Sequence, residues 1–237
     1  MKIAVCTTLA AYVMDNPGTY ASWVENQAAV AEHARSVGVE LTYFAAIETD
    51  ARGIVPFIPL ISILSAMQDG DYWTYTLDDR RTEITTANRL RHLTMGQNIT
   101  SEFASAGGYE WMLFLAADTR PPDDVIPKLL EMNHPLVGCE LVTYCLRGSR
   151  VPQYTEYPVE EQLISAACIM IHKDVFKLLR WRVDHFIGMH DDRSYQHDAQ
   201  ELLGIPSYVR KDCRATHYPE AVCVIEIRYP GRDMRVY

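Results

Sequence analysis

The stretch YEWMLFLAADTRPPDDVIPKLL, Tyr109 to Leu130, decides how the rest of the chain is read. An apolar strand, Trp111–Leu115, runs straight into Asp118. Thr119, Arg120 and two prolines follow, and Asp123–Asp124 open an acidic helix start. In a mainly parallel sheet, a residue at the carboxyl end of a strand faces the crevice where ligands bind. A carboxylate there is a hard oxygen ligand, suited to Mg²⁺ or Mn²⁺ holding a diphosphate. A turn-forming or helix-capping role is the other reading of an Asp in that place.

Working outward, strands and helices alternate through the first half. Lys2–Cys6 reads as a buried strand. Tyr20, Trp23, Gln27, Val30, Ala31 and Ala34 recur at helical spacing, with Gly38 as the stop. Glu40–Ile47 and Tyr72–Leu77 read as strands and Pro59–Met67 as a helix. A long helix carries Leu90, Leu93, Ile99, Phe103 and Ala106 inward and stops at Gly107–Gly108. Strands separated by such helices imply a mainly parallel sheet. That directs attention to Thr7–Thr8, Glu48–Asp50, Asp78–Arg81 and Ala116–Arg120 at the strand ends. In the second half Pro135–Tyr144, Leu163–Ile171, Ser207–Lys211 and Ala221–Tyr229 read as strands. Asp191–Leu203 reads as a helix with Tyr195, Ala199, Leu202 and Leu203 on one face. Fewer helices there predict a mixed sheet laid onto the first half. The expectation is a single domain over 1–237, with residues 1–120 and 121–237 as its halves.

Composition narrows the function. The chain has 237 residues, 48% of them hydrophobic, and a formal charge of -9. The acidic balance argues against a broad nucleic-acid-binding face. Six cysteines, at 6, 139, 145, 168, 213 and 223, form no C-x-x-C pair and several sit in apolar runs. This predicts buried, reduced thiols in a cytoplasmic protein. The opening MKIAVCTTLAAYVM has the outline of a short signal peptide. However, Thr7 and Thr8 interrupt it and no A-x-A site precedes Asp15, so a first strand fits better. No run reaches the roughly 18 apolar residues of a membrane helix, and no membrane anchor is expected.

The segment Ala116–Ala117–Asp118–Thr119–Arg120–Pro121–Pro122 resembles the strand-D-x-D-x-x-x-P segment of GT-A glycosyltransferases, family-2-like enzymes that use nucleotide sugars. Asp118 matches the last motif Asp; Ala116 replaces the first. Upstream, Gln97–Asn98 resembles the end of the family's ARN-like turn, with Gln97 in place of Arg. Downstream, SAACIMIHKDVFKLL resembles the acceptor-side strand, with His172–Lys173 for its basic pair and Phe176 as the apolar anchor. HDDRSYQHDAQELL resembles the E-D-x-x-[FY] helix start, and the strand after it ends in His217.

The resemblance implies an α/β GT-A type fold, a Rossmann-like mixed sheet flanked by helices. It implies Asp118 and His217 as ligands of Mn²⁺ or Mg²⁺. It places Thr7, Thr8, Asp50, Asp79, Arg89, Asn98, Ala117 and Asp118 on the donor, a nucleotide-diphosphate sugar and first of all a UDP-sugar. Asp192 is the expected general base and Asp191 the neighbour that orients it; capping of a helix start by the same pair is the alternative. The acceptor is a hydroxyl of a glycan, protein, small molecule or modified DNA base. Nucleic acid enters only in that last role. A sugar-nucleotide-binding protein without turnover is the competing expectation, and Ala116 keeps it open.

Overall fold

The structure is a computed structural model and describes residues 1–9, 17–49, 70–75, 86–145, 153–156, 164–183 and 191–217. The expected helix Pro59–Met67 and strand Ala221–Tyr229 lie outside these residues. Nine described strands form one mixed sheet. They are β1 (Lys2–Leu9), β2 (Glu40–Glu48), β3 (Asp71–Tyr75), β4 (Trp111–Leu115), β5 (Thr119–Arg120), β6 (Leu136–Cys145), β7 (Gln153–Glu156), β8 (Cys168–His172) and β9 (Tyr208–His217). Their order is β3-β2-β1-β4-β8-β6-β9-β5, with β7 paired to β6. The β3-β2-β1-β4 block is parallel. β8 lies antiparallel between β4 and β6. β9 runs parallel to β6, and β5 antiparallel to β9. Both halves of the chain thus feed one sheet.

Flanking the sheet are α1 (Pro17–Ser36), α2 (Thr86–Ala106), α3 (Val125–Glu131), α4 (Lys173–Phe176) and α5 (Asp191–Leu203). β1 reads as an unbroken apolar run because the sheet is covered on both sides. Ile3, Val5 and Leu9 join Trp23, Val30 and Ala34 of α1 on one face. Ala4 and Cys6 join Ala104, Phe114, Trp181 and Tyr195 on the other. The buried stripe of α1 is as the spacing predicts: Trp23, Gln27, Val30, Ala31 and Ala34 are all inside. Gly38 closes that helix in the left-handed region (φ 77). There Val39 N–H reaches Ala34 O and Gly38 N–H reaches Arg35 O, which satisfies the last carbonyls.

The buried face of α2 differs from expectation. Thr94, Gln97, Thr100, Ser101 and Ala104 are inside, Leu93, Ile99 and Phe103 are only half-buried, and Ala106 is exposed. The reason is close approach, since α2 lies directly on the ends of β1 and β3. A methyl group on Gly96 would stand 2.9 Å from the Tyr75 hydroxyl and closer still to the γ-methyl of Thr8. Glycine to alanine inside a helix ordinarily gains about 1 kcal/mol, but overpacking costs about 1–3 kcal/mol. Gly96→Ala is therefore expected to destabilise by up to about 2 kcal/mol and lower the melting temperature by up to about 8 °C. A thermal melt checks it; an unchanged or higher value would show that the contact yields freely.

Two strands also differ. β8 starts at Cys168 and not at Leu163, because a turn closes first, with Cys168 N–H on Ser165 O. β9 does not stop at Lys211 but continues to His217. Along β6 it changes register between Cys139 and Glu140: Cys139 faces Arg210, yet Glu140 faces Arg214. Lys211, Asp212 and Cys213 form a bulge. Within the sheet, the Cys139 Sγ lies 3.3 Å from that of Cys168 and 3.4 Å from that of Cys213. Cys6, Cys139, Cys168 and Cys213 are free and buried, as the sequence predicts. In α5, Tyr195 and Ala199 are buried as expected. Leu202 is exposed, because Asp191, Ser194 and Gln196 hold the inner face instead.

Candidate functional site

β4 delivers Asp118 to the carboxyl end of the parallel block through a tight turn. Ala116 N–H bonds Ala167 O, and Thr119 N–H bonds Ala116 O. The Arg120 guanidinium folds beneath the turn and donates to Ala117 O at 2.8 Å and Thr119 O at 3.0 Å. Asn26 of α1 donates to Pro121 O at 2.9 Å and fixes the next step. β5 then pairs with the end of β9, and Thr119 faces His217. Two side chains 99 positions apart are thereby joined: His217 Nε2 and Asp118 Oδ2 are 3.1 Å apart. Both are mostly buried, with side chains 24% and 18% exposed. The second Asp118 oxygen meets the Thr119 hydroxyl at 3.4 Å.

This pair fits a dication. Two adjacent ligands of an octahedral ion, each about 2.0–2.2 Å from the centre, stand about 3 Å apart, and the observed separation matches that edge. Among the described residues, no third His, Cys, Asp or Glu completes a metal-binding group. Phosphate oxygens and water are further ligands that hard dications accept readily.

Thr7 and Thr8 end β1, the strand beside β4, where Cys6 faces Phe114. Their hydroxyls are buried and have no hydrogen-bond partner among the described residues. Ala117 is packed into the core under the turn. Asn98 is held by the backbone of Trp181 at both ends of its amide: it donates to Trp181 O at 2.9 Å and accepts from Trp181 N–H at 2.8 Å. Arg89 lies in α2, with its side chain outside the described residues; Asp50 and Asp79 also lie outside them.

On the other side, α5 opens on Asp191 and Asp192. Asp191 is 5% exposed. Its carboxylate accepts from Gln97 Nε2 at 2.7 Å. Burial first, and then the charge of Asp192, push the Asp191 carboxyl above the usual carboxylate range. Asp192 is less buried, and its carboxylate accepts from Arg193 N–H at 2.8 Å. Tyr195, one turn on, stacks on Trp181 with ring centroids 4.1 Å apart.

His172–Lys173, which the resemblance puts on the acceptor side, stands elsewhere. β8 is antiparallel to β4, so His172 faces Trp111, at the opposite end of β4 from Asp118. There it caps α4 and packs on Trp111. Sequence reading missed Gln97 as the partner of Asp191 and Arg120 as the staple of the turn. The first had a signal: Thr94, Gln97, Thr100, Ser101 and Ala104 form a stripe at three- and four-residue spacing, a helix face too small and polar to have been taken as buried.

No protein-family model and no curated protein matches the sequence. Solved structures do resemble this one. A mannosyltransferase from Pyrobaculum calidifontis, in complex with GDP-Man and Mn²⁺, aligns with TM-score 0.50 and 12% identity over 91% of this chain. This chain spans only 56% of that protein's length. A glycosyltransferase involved in glycosylating the major capsid of PBCV-1 aligns at TM-score 0.43, with 13% identity over 92% of each chain. A Bacillus anthracis protein assigned as a glucose-1-phosphate thymidylyltransferase, solved with sucrose, aligns at TM-score 0.47 and 10% identity, over 100% of this chain and 98% of that one. At such identities the likeness speaks of architecture. Together with the sheet order, the likeness to the mannosyltransferase shows that this chain has a GT-A-like fold, a Rossmann-like mixed sheet flanked by helices.

Proposed function

We propose that the protein is a metal-dependent glycosyltransferase that moves a sugar from a nucleotide-diphosphate donor, first of all a UDP-sugar, to an acceptor hydroxyl. The observation that carries this reading is the meeting of Asp118 and His217 at the end of β4. The mannosyltransferase complex with GDP-Man and Mn²⁺ supports it by analogy of fold. Residues 1–120 form the donor half and 121–237 the acceptor half of one domain, and each half supplies one ligand of the pair.

When bound, Mn²⁺ or Mg²⁺ neutralises charge on the departing diphosphate. Asp118 and His217 would hold it, and their mixed oxygen and nitrogen set would favour Mn²⁺ over the strictly oxygen-seeking Mg²⁺. On this reading Thr7, Thr8, Asp50, Asp79, Arg89 and Ala117 are assigned to the donor, and Asn98 serves it by tying α2 to Trp181. The acceptor oxygen bonds to the anomeric carbon as the carbon–diphosphate bond breaks. Asp192 takes the acceptor proton, and Asp191 orients Asp192. The acceptor belongs to a glycan, protein, small molecule or modified DNA base.

The test is calorimetry of UDP and GDP binding with Mn²⁺ and with EDTA. Binding is expected to weaken strongly in EDTA; equal affinity in both would sink the metal-dependent reading. The second reading, a sugar-nucleotide-binding protein without turnover, is favoured by Ala116 in the place of the first motif acid. Hydrolysis of nucleotide sugars with Mn²⁺ separates the two, because a working centre cleaves its donor slowly even without acceptor.

A further inference from the structure

Gln97 sits in the middle of α2 and is fully buried. Its Nε2 donates to Asp191 Oδ2 at 2.7 Å across 94 positions of sequence. Its Oε1 has no hydrogen-bond partner among the described residues. For packing alone, a methionine would fill the same space without an unmatched buried acceptor. The amide makes sense as a donor for a carboxylate that burial would otherwise leave unsupported. The two elements it joins come from the two halves of the chain: α2 lies on the ends of β1 and β3, and α5 carries Asp191 and Asp192.

We propose that Gln97 is a positioning residue: through its bond to Asp191 it sets the first turn of α5, and with it Asp192, for proton removal from the acceptor. The proposal depends on the transferase reading above for its consequence, though not for the contact itself. Gln97 is fully buried and bonded to Asp191, so its loss acts through Asp191. Misplacement of a reacting group by about 1 Å costs about 10²-fold in rate.

The experiment is a double-mutant cycle of Gln97→Met and Asp191→Asn, read by transfer rate, donor affinity and carbon-13 NMR titration of the Asp191 carboxyl. Gln97→Met is expected to lower kcat by about 10²-fold while donor affinity stays within twofold. The double mutant is expected to be no slower than the slower single mutant, because both changes break one linkage. The Asp191 midpoint is expected to rise in Gln97→Met, since the donor to its ionised form is gone; Asp192, the charged neighbour acting on it, is the same in both proteins. Rates that multiply in the double mutant, or a midpoint that does not move, would overturn the proposal. If the parent protein transfers no sugar from any donor, the transferase reading falls, and the titration still decides the contact. Should Gln97→Met not fold, Gln97→Glu regains a donor only when protonated. Its rate relative to the parent must then improve as pH falls, and a flat ratio rejects the role.

Discussion

In Asp118→Asn, metal-dependent donor binding is expected to vanish and transfer to fall by at least about 10²-fold, in line with the several kcal/mol that a bound dication gives a developing anion. Asparagine keeps the shape of the side chain and can still meet His217 Nε2. The fold is expected to survive, because the amide oxygen of asparagine can still hydrogen-bond His217 Nε2, so no buried polar group loses its partner. The prediction thus separates a functional carboxylate from a structural one. Calorimetry with Mn²⁺, a melt and a rate on one mutant suffice. Full activity with unchanged Mn²⁺ dependence would remove Asp118 from the metal site, and the proposed function would lose its main support.

Asp192→Asn is expected to do the reverse: leave nucleotide and metal binding nearly intact and cut turnover by about 10²-fold or more. Its carboxylate accepts from Arg193 N–H, a bond that an asparagine oxygen can also accept. Simple capping of α5 therefore predicts a mutant that keeps both stability and activity, since Asn caps about as well as Asp. An unchanged rate would take Asp192 out of catalysis. A retaining stereochemical outcome would weaken the role as well, because it is inversion that needs a base on the acceptor face.

What was legible in the sequence was what periodicity or punctuation marks. Trp111–Leu115 is a strand and Asp191–Leu203 a helix with the bounds read from the residues, because each is uniform inside and clearly stopped. The full length of β9 was not legible. RKDCRATH has no clean alternation, for the bulge interrupts the period and Arg210 and Asp212 pair with each other at the surface. The buried face of α2 was misread for a different reason: leucines suggest a core face, whereas close helix-on-sheet packing selected Gly96 and threonines. Of the site, Asp118 stood out as a charge ending an apolar strand. Its proximity to His217 came only from the order of loose motifs, since nothing local in either segment encodes a contact across 99 positions. The burial of Gln97 could have been read from its stripe, but not its partner, which is on another helix.

The bulge in β9 also bears on how such a centre can change over generations. Lys211, Asp212 and Cys213 act as a three-residue spacer that advances the strand relative to β6. If these three residues were instead taken into the ladder, so that the first half of the register simply continued, the place opposite Thr143 now held by His217 would pass to Arg214. A cation would then stand beside Asp118, and the same scaffold would carry an internal ion pair where it now offers two metal-ligating groups. Gain or loss of this centre therefore turns on whether β9 bulges or runs straight along β6.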